Sequence, residues 1–460
     1  MMQAQNNSTA QGGTFAVRER VFIGSLLFAF LFPCATWEQA AGGALLLLLF
    51  NALILPWMEG DLGQPFPGPL LGQRGETEAL VYPISVLALI LLYRHHLHIA
   101  AAAWAIMALG GGMATVAGRR WGGVSASLFW NRQKSWPGFI AFGLSGGLGA
   151  YLLTRWIAPQ IPPHKTLVVC AAAALLGAAL ESAPITLDRN VTVPLAAGAS
   201  LFCAFLVEPS AFDSNRPYLG RRLFLAIGVN LAFAWLAYAL RAASASGAVC
   251  GFFLGTAIYL GYGYKSFLLL FTFVLLGSVS TRLGFSRKAA RGIAERRGGA
   301  RSWREASANL LAAACFALLV VTTHHEAAFL MAMVAALAEA AGDTVSSEIG
   351  QWASNSAFLI TNFQPVPAGQ DGGISCAGTM AGFAASAVLT ALGFALGLCG
   401  PYRFAGPAIV LGAACAGNLF DSLLGATLQR RGLIGNGGVN FAGTSFAGSL
   451  ALGLALHSGL

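Results

Sequence analysis

The chain has 460 residues, of which 56% are hydrophobic and only 10% are charged. Soluble globular domains carry about 25% charged residues, so this chain cannot cover a water-exposed surface. A disordered chain, a coiled coil and a soluble enzyme are therefore excluded, and the composition indicates a polytopic membrane protein. The formal net charge of +9 indicates basic cytoplasmic loops in such a protein, so no nucleic acid partner is expected.

The segment before the first apolar run is polar and does not have the pattern of a signal peptide, with a basic end and a short apolar core. Arg18 and Arg20 precede that run, which predicts a cytoplasmic N-terminus. Since no targeting segment is recognised, we expect an integral protein of a bacterial inner (cytoplasmic) membrane.

Apolar runs that suit membrane helices recur along the whole chain, because a spanning helix needs about 20 apolar residues. Several runs are short or broken by glycine, so we predict about 14 transmembrane helices in an all-α bundle. The runs lie near residues 21–38, 41–57, 79–93, 97–117, 138–157, 166–183, 191–208, 222–241, 246–263, 266–281, 306–322, 327–342, 377–399, 404–424 and 441–459.

Two basic stretches between these runs are expected on the cytoplasmic side, where nucleotides are found. They are residues 118–134 and residues 282–304, and the second is the denser cluster of arginines. The arginines of the second stretch either fix the membrane topology and contact lipid headgroups, or bind phosphate, and both interpretations stay open. Residues 58–78 are acidic and rich in Gly and Pro, so we expect an outer loop there.

A pattern in the first half recurs in the second. Residues 110–122 end an apolar run and are followed by 134–138, which open the next run; residues 341–350 and 372–379 repeat this order. Matching Gly111 with Asp343 gives a shift of 232 residues, and matching Gly138 with Gly378 gives 240. We therefore predict two related halves. The predicted boundaries are a polar tail at 1–20, a membrane domain at 21–210, a connecting helix region at 211–245 and a second membrane domain at 246–460.

Acids and a glycine-rich turn in the second half have the pattern of a metal–nucleotide site. An acid inside a membrane protein is energetically expensive and usually functional, which singles out Asp343, at the end of an apolar helix, and Asp421, within an apolar stretch. Both are predicted to be catalytic residues and metal ligands. A Gly/Ser-rich turn into a helix N-terminus offers N–H groups to phosphate oxygens, and a carboxylate beside it can hold Mg²⁺. The predicted phosphate-binding turn comprises Gly372, Gly373, Ser375, Gly378 and Thr379.

Three more polar residues of the second half have two interpretations each. Glu348 is either a catalytic metal ligand or base, or a loop carboxylate in ionic contact with Arg282 or Arg304. Asn309 and Asn440 are either nucleotide-binding residues or interhelical hydrogen-bonding residues.

Other candidates for nucleotide binding lie beside the two acids and the basic stretches. Asn418 lies three residues before Asp421, which places both on one helix face. Arg301 and Arg304 are expected to attract phosphate at the cytoplasmic face. Lys134, in the first half, is a candidate phosphate-binding lysine.

An ordered set of motifs runs through residues 245–460. It comprises Gly298–Gly299, Arg301, Trp303–Arg304, Asn309, Ala341–Thr344, Ser347–Gly350, Pro365–Pro367, Gly372–Ser375, Gly378–Thr379, Asp421–Ala426 and Val439–Phe441. This set resembles the family that includes plant phytyl-phosphate kinase, the DUF92-type membrane proteins. The resemblance implies a kinase that uses CTP and Mg²⁺. One departure is Gln370–Asp371, where relatives more often carry a Thr-Asn pair.

Residues 80–208 carry a second set of motifs, at Gly118–Gly122, Asn131–Gly138 and Glu181–Leu195. These motifs resemble phytol and dolichol kinases. That family has an acid where this chain has Gly111, and paired acids where it has Asp188–Arg189. The resemblance therefore implies a kinase-like first half with a damaged metal site. Both families resemble the wider group of CTP-dependent membrane enzymes that includes the phosphatidate cytidylyltransferases.

The leading hypothesis is a CTP-dependent kinase that converts an isoprenoid (phytyl or prenyl) monophosphate into the diphosphate at the membrane. Its expected partners are this lipid, the nucleotide and the membrane lipids, and a homodimer is left open. An alternative is a bifunctional enzyme whose first half phosphorylates the prenol. An alternative of another class is a transporter or flippase built from two repeats, whose site would lie near the midplane rather than open to the cytoplasm beside residues 282–304.

Overall fold

The computed structural model describes residues 21–54, 74–184, 186–400 and 404–458. The predicted polar tail at 1–20 and most of the predicted outer loop at 58–78 lie outside the described residues. The chain divides into two compact units, Met1–Phe205 and Leu206–Leu460, called the first and second unit below.

The described part of the first unit is helical. A 3₁₀ segment, Leu26–Cys34, precedes the α-helices, and a π-helical turn, Ile106–Gly110, joins two of them. Trp104 lies in the core beside this turn and donates a hydrogen bond of 2.7 Å to the hydroxyl of Tyr82. The helices are α1 (Trp37–Leu53), α2 (Arg74–Leu92), α3 (Leu97–Ala105), α4 (Gly111–Trp121), α5 (Trp136–Ile157), α6 (Pro163–Ser182) and α7 (Arg189–Phe205).

The second unit is arranged around one long helix, α13. Every residue of α13 from Ala328 to Gly342 is buried, because other helices pack against it on all sides. A π-helical turn, Gly425–Gln429, extends α15. The helices are α8 (Pro209–Ala239), α9 (Ala245–Tyr262), α10 (Tyr264–Arg282), α11 (Phe285–Ala290), α12 (Trp303–Thr322), α13 (Glu326–Ala353), α14 (Cys376–Ala395), α15 (Ala405–Leu424) and α16 (Asn436–His457).

A small antiparallel sheet connects α13 to α14 in the second unit. It consists of β1 (Ser356–Leu359), β2 (Pro365–Pro367) and β3 (Gly373–Ile374), in the order β2-β1-β3. Phe358 of β1 is opposite Pro365 of β2 and Ile374 of β3. The sheet ends directly before the first turn of α14, so it fixes where that helix N-terminus lies.

The described helices confirm the predicted all-α membrane bundle. Eleven of them are long and apolar enough to cross a membrane, and three shorter apolar helices accompany them, at Val21–Cys34, Trp37–Leu53 and Leu80–Leu92. Large apolar side chains also remain exposed, among them Phe224 and Trp235 of α8, as expected of a surface that faces lipid. The count of about 14 spanning helices is not confirmed.

The sequence prediction was wrong about where α13 ends. The apolar run stops at residue 342, and Asp343 was therefore placed at a helix end, yet α13 continues for ten residues beyond Asp343 to Ala353. Close backbone packing of α14 accounts for the extension, since a Cβ on Gly382 would lie 2.7 Å from the carbonyl oxygen of Gly342. Small residues at such an interface hold two membrane helices together without a long apolar stripe.

The two units share one set of backbone contacts, as the predicted repeat requires. In the first unit, a Cβ on Gly138 would lie 3.1 Å from the carbonyl oxygen of Ala114 and 3.3 Å from Oγ of Ser135. In the second, a Cβ on Gly378 would lie 2.6 Å and 3.0 Å from the matching atoms of Ser346 and Ser375. Ala114 and Ser346 differ by 232 residues, and the serines and glycines differ by 240, which are the shifts found in the sequence.

Candidate functional site

A cavity of about 150 Å³ opens in the second unit where α13, α15 and the small sheet meet. We call it the polar cavity. Most of its lining comes from three segments: Asp343, Ser346, Ser347, Gly350 and Gln351 from α13; Gln370–Ser375 before α14; and Asp421 and Ser422 from α15. The structure thus brings together the two predicted acids and part of the predicted glycine-rich turn.

Asp421 has an oxygen that the surrounding protein leaves without a partner. Its Oδ2 is buried and accepts no hydrogen bond from any described residue. A buried carboxylate in this state costs free energy unless a cation or proton reaches it. This oxygen therefore fits a metal ligand.

Glu339 is a third acid near this site, and the sequence interpretation missed it. It lies one helical turn before Asp343 on α13, is 1% exposed, and has no described hydrogen-bond partner for either carboxyl oxygen. Oε1 of Glu339 and Oδ2 of Asp421 both lie within 3.3 Å of the point where a Cβ on Gly443 would sit. The signal that singled out Asp421, an acid inside an apolar run, was present at Glu339 as well.

The glycine-rich turn is held by contact with the end of α15. Gly372 has φ +72°, and a Cβ there would overlap the backbone nitrogen of Ala426. Ser375 caps α14 by accepting a hydrogen bond of 3.2 Å from the backbone N–H of Gly378. Gly372, Gly373 and Ser375 line the polar cavity, whereas Gly378 and Thr379 do not.

Gln370 and Asp371, directly before the glycine-rich turn, also line the polar cavity. Burial raises the pKa of the Asp371 carboxyl above its usual 3.8, and the Arg430 guanidinium opposes that rise. The polar cavity therefore has a third carboxylate, from Asp371, at its loop side.

The residues of the polar cavity fit a magnesium ion that is shared with a phosphate ligand. Nowhere in the described ranges do three or more His, Cys, Asp or Glu side chains form a group that could hold a metal by themselves. Mg²⁺ is usually bound by one or two carboxylates, with waters and substrate phosphates completing the coordination. Asp343 and Asp421 could supply those two carboxylates.

A second cavity of the second unit, of about 110 Å³, is mostly apolar. We call it the apolar cavity. Phe233, Leu270 and Phe273 line its inner part, and Thr281, Arg301, Glu305 and Asn309 line its polar end. From Asn230 to Ala237 it follows α8 for about 10 Å, at 1.5 Å of rise per residue. Thr344 lines this cavity and Asp343 the polar one, so the two cavities lie on neighbouring faces of one turn of α13.

Glu348 lines neither cavity, because its side chain is buried in an ionic network. Lys288, which is 0% exposed, donates to Oε2 of Glu348 at 2.5 Å, and Thr281 donates to Oε1 at 2.8 Å. Arg301 lies 3.9 Å from Oε1 of Glu348. Glu348 is thus in ionic contact, as one of the two interpretations expected, but with Lys288 and Arg301 and not with Arg282 or Arg304.

The remaining candidates of the second unit lie outside the polar cavity. Asn440 donates a hydrogen bond of 3.3 Å to Asn309, which links α16 to α12 as the interhelical interpretation expects. Asn418 donates to the carbonyl oxygen of Ala414 at 3.1 Å and packs against Gly342. Arg304 is exposed and lies 5.5 Å from the ring centre of Trp303.

Lys134 belongs to the first unit and is part of another site. It forms an ion pair with Glu181, a buried carboxylate of α6 that also lies 3.3 Å from Arg189. Its predicted role in nucleotide binding stays a prediction for that unit.

Comparison with known proteins identifies a family for part of the second unit. The family described as integral membrane protein DUF92 matches residues 228–448. The chain is 35% identical over 204 residues to an uncharacterized membrane protein of Synechocystis sp., which covers 44% of this chain and 78% of that protein. No solved structure matches the chain.

Two plant proteins are similar over shorter stretches. Protein VTE6, chloroplastic, of Arabidopsis thaliana is 35% identical over 190 residues, which is 40% of this chain and 56% of VTE6. A protein of Glycine max named probable phytol kinase 2, chloroplastic, is 32% identical over 143 residues, which is 30% of this chain and 46% of that protein. The chain thus spans about half the length of each plant relative.

Proposed function

We propose, since the chain belongs to the DUF92 family of integral membrane proteins, that its second unit is a lipid kinase. The reaction would transfer the terminal phosphoryl group of CTP to an isoprenoid monophosphate and yield the diphosphate. A relative named as a probable phytol kinase supports a kinase that acts on an isoprenoid lipid.

The observation that carries this proposal is the pair of cavities on one turn of α13. The polar cavity has the carboxylates and the helix N-terminus that a metal–nucleotide complex needs. Thr344, the next residue, lines the apolar cavity, whose aromatic and aliphatic side chains suit a hydrocarbon tail. Phosphoryl transfer depends mainly on holding donor and acceptor in line, so two adjoining cavities of opposite polarity suit this chemistry.

On the donor side, Asp343 and Asp421 would hold Mg²⁺. When bound, the metal would neutralise charge on the nucleotide phosphates. The backbone N–H group of Gly372 would bind a phosphate oxygen, whereas that of Gly373 already donates to the carbonyl oxygen of Gln370 at 2.9 Å. Ser375 would orient the first turn of α14 toward the phosphates.

On the acceptor side, Arg301 would bind the lipid phosphate at the polar end of the apolar cavity. Arginine suits this role because its planar guanidinium bonds phosphate oxygens in pairs. Glu348 and Lys288 would act as positioning residues, since their ion pair lies behind Arg301 and Thr281.

The transfer itself needs no strong general base. An oxygen of the lipid phosphate, already anionic near neutral pH, forms a bond to the terminal phosphorus of CTP. The bond from that phosphorus to its bridging oxygen breaks, and CDP leaves with the electron pair. The described lining of both cavities accordingly contains no histidine.

The other two hypotheses receive less support. A bifunctional enzyme would need a working metal site in the first unit, where Gly111 replaces an acid and Glu181 is paired with Lys134 and Arg189. A transporter would bind its substrate midway along the helices. The polar cavity is instead bordered by the loop 368–375 at the ends of α13 and α15.

The test is CTP turnover by the purified full chain in detergent with Mg²⁺, with phytol and phytyl phosphate offered separately. We expect turnover with the monophosphate alone, and we expect Asp343→Asn to lower it at least about a hundredfold, the usual effect of losing a group that stabilises transition-state charge. ATP in place of CTP would establish which nucleotide is used.

Two results would contradict the proposal. Turnover of phytol would mean that the first unit is catalytic despite Gly111. Absence of turnover with either lipid, from protein that elutes as a monodisperse peak, would exclude this kinase activity and favour transport.

A further inference from the structure

The first unit has a large polar cavity at the position that corresponds to the polar cavity of the second. It measures about 540 Å³ and is called the basic cavity below. The repeat relates the two linings residue by residue, since Gly118 and Gly350 differ by 232 residues, and Ser135 and Ser375 differ by 240. Glu181 and Asp421 also differ by 240, and each lines its own cavity.

The two cavities have opposite charge. Arg119, Arg132, Lys134 and Arg189 line the basic cavity, and Glu181 is the acid among its described lining residues, which gives a formal charge of +3. Three aspartates and no lysine or arginine line the polar cavity of the second unit, as far as its lining is described, which gives −3. A chain of phosphates that enters the polar cavity needs a cation with it, whereas the basic cavity already provides cationic groups.

Two positions of the first unit match the metal-binding carboxylates of the polar cavity. One of them has no carboxylate, and the carboxylate at the other forms ion pairs. The position that matches Asp343 is Gly111, which faces open space and borders a small void of about 50 Å³ with Tyr82 and Phe142. Glu181, which matches Asp421, is paired with Lys134 and Arg189. Neither position offers an unpaired carboxylate to Mg²⁺.

The basic groups reach the cavity from different parts of the unit. They come from three segments: the end of α4 with Arg119, the loop before α5 with Arg132 and Lys134, and the start of α7 with Arg189. The 22-residue helix α5 opens at this cavity through Ser135 and Gly138. Arginines converging from several directions bind several phosphate oxygens at once, which a single surface cation does not.

We propose that the first unit binds a di- or triphosphate anion in the basic cavity without a divalent metal. The arginines and Lys134 replace the metal as counter-charges, and the unit binds the anion without catalysing its transfer. This inference is independent of the kinase proposal, because it concerns residues that line only the basic cavity.

Isothermal titration of the full chain in a neutral detergent, with inorganic pyrophosphate and excess EDTA, tests the inference. Arg119→Gln and Arg132→Gln are each expected to weaken binding about tenfold, the effect of losing one charge-assisted hydrogen bond. Arg94→Gln, at an exposed arginine outside the cavity lining, is the matched control and should leave binding unchanged. Asp343→Asn should also leave it unchanged, whatever that variant does to turnover.

A second variant tests the role of position 111. A Cβ on Gly111 meets no atom within 4 Å, so Gly111→Asp is expected to fold. Gly111 borders the small void that shares Glu181 and Arg189 with the basic cavity, so the new carboxylate would bring negative charge close to the anion. It should weaken binding of pyrophosphate in EDTA, by repulsion that shrinks as salt is added. Gly111→Asn, of similar size and without charge, should have less effect.

Three outcomes would overturn the inference. They are pyrophosphate binding that requires Mg²⁺, binding that Arg119→Gln and Arg132→Gln leave unchanged, and the absence of any binding in EDTA. A further arm adds nanodiscs that contain phosphatidic acid. If lipid phosphate displaces pyrophosphate while free inorganic phosphate does not, the cavity is a headgroup site and the inference is wrong.

Discussion

Glu339, Asp343 and Asp421 stand out at the scale of single residues, because each is an acid on a membrane helix. Asp343 and Asp421 line the polar cavity, and Glu339 lies one turn deeper with both oxygens unpartnered in the described structure. Such groups are costly in a membrane and are retained where they bind a cation, a proton or a substrate. Their positions relative to one another depend on Gly443, which leaves room for two of the carboxylates.

We predict that Gly443→Ala impairs turnover while the protein still folds. The added Cβ would lie 2.5 Å from Oε1 of Glu339 and 3.3 Å from Oδ2 of Asp421, so one carboxylate must move. A displacement of about 1 Å in an active site can lower turnover about a hundredfold. The measurement is kcat with phytyl phosphate, together with thermal unfolding in detergent.

Gly453→Ala is the matched control for this variant. Gly453 lies on the same helix, α16, and a Cβ there meets nothing within 4 Å. Its stability should change by no more than about 0.5 kcal/mol and its kcat should stay the same. Equal losses of kcat in both variants would mean that α16 tolerates no alanine, and that the carboxylates are not the cause.

The sequence identified some of these residues and not others for a physical reason. A charge inside an apolar run or at its end is visible in the sequence, and this signal found Asp421 and Asp343. Whether a polar residue faces a cavity or a neighbouring side chain depends on helix rotation, which the sequence does not contain. The sequence left two interpretations open for Glu348 and Asn440, and in the structure Glu348 is paired with Lys288 and Asn440 with Asn309.

At the scale of elements, the glycine-rich turn contacts the end of α15. We predict that Gly372→Ala lowers turnover more than Gly432→Ala, although both glycines have positive φ, of 72° and 69°. Each substitution forces a side chain into the left-handed region, at about 1–2 kcal/mol. Only at Gly372 does the Cβ also overlap the backbone of Ala426, whereas nothing lies within 4 Å at Gly432.

The Gly372→Ala experiment compares KM for CTP and unfolding temperature in both variants. A raised KM only in Gly372→Ala, together with the larger loss of stability that the overlap with Ala426 predicts for that variant, would support a turn that binds phosphate. If both variants keep the KM of the unaltered chain, the turn does not contact the nucleotide.

The buried ion pair of Lys288 and Glu348 joins α11 to α13, and its removal tests the role of Glu348. We predict that Lys288→Met destabilises the protein by about 3–5 kcal/mol, because Glu348 is then left charged without its partner. The double variant Lys288→Met/Glu348→Leu should recover most of that stability, since no unpaired charge remains.

Activity of the double variant distinguishes a positioning role from a catalytic one. If Glu348 only positions Arg301, kcat should be kept and KM for the lipid phosphate should rise. An inactive double variant that unfolds at the temperature of the unaltered chain would make Glu348 catalytic, as one of the sequence interpretations held.

Helices were predicted well where the length of an apolar run determines their extent. They were predicted less well where packing against another helix determines it. The apolar runs locate most helices, because a membrane helix needs a stretch of apolar residues. The last ten residues of α13 include Ser346, Ser347 and Gly350 and lack such a stretch. Their helical form depends on α14, whose Gly378 and Gly382 approach the α13 backbone. The small sheet at 356–374 likewise has strands of at most four residues, too short for an alternating pattern.

At the scale of the whole molecule, the two units share one set of backbone contacts, but the cavities that correspond to each other have opposite formal charge. The two units keep the serine cap and the glycine contact at Ser135 and Gly138 and at Ser375 and Gly378. The charged residues have diverged, from three aspartates in one cavity to three arginines and a lysine in the other. The sequence already groups Arg119, Arg132 and Lys134 in one basic stretch, and the structure adds Arg189, from the start of α7, to the same cavity.

Because the two cavities differ in charge, we predict that a chelator affects turnover and pyrophosphate binding differently. Excess EDTA should abolish turnover, since the polar cavity has a formal charge of −3 and needs a cation to admit a nucleotide, yet it should leave pyrophosphate binding intact. Asp343→Asn should abolish turnover only, and Arg119→Gln should weaken EDTA-resistant binding only. Since the two cavities share no lining residue, the effects in the double variant should add within about 0.3–0.5 kcal/mol. The measurements are turnover and titration on the same preparations of the four proteins. A larger deviation would mean that occupancy of one unit changes the other, and that the basic cavity regulates the kinase site.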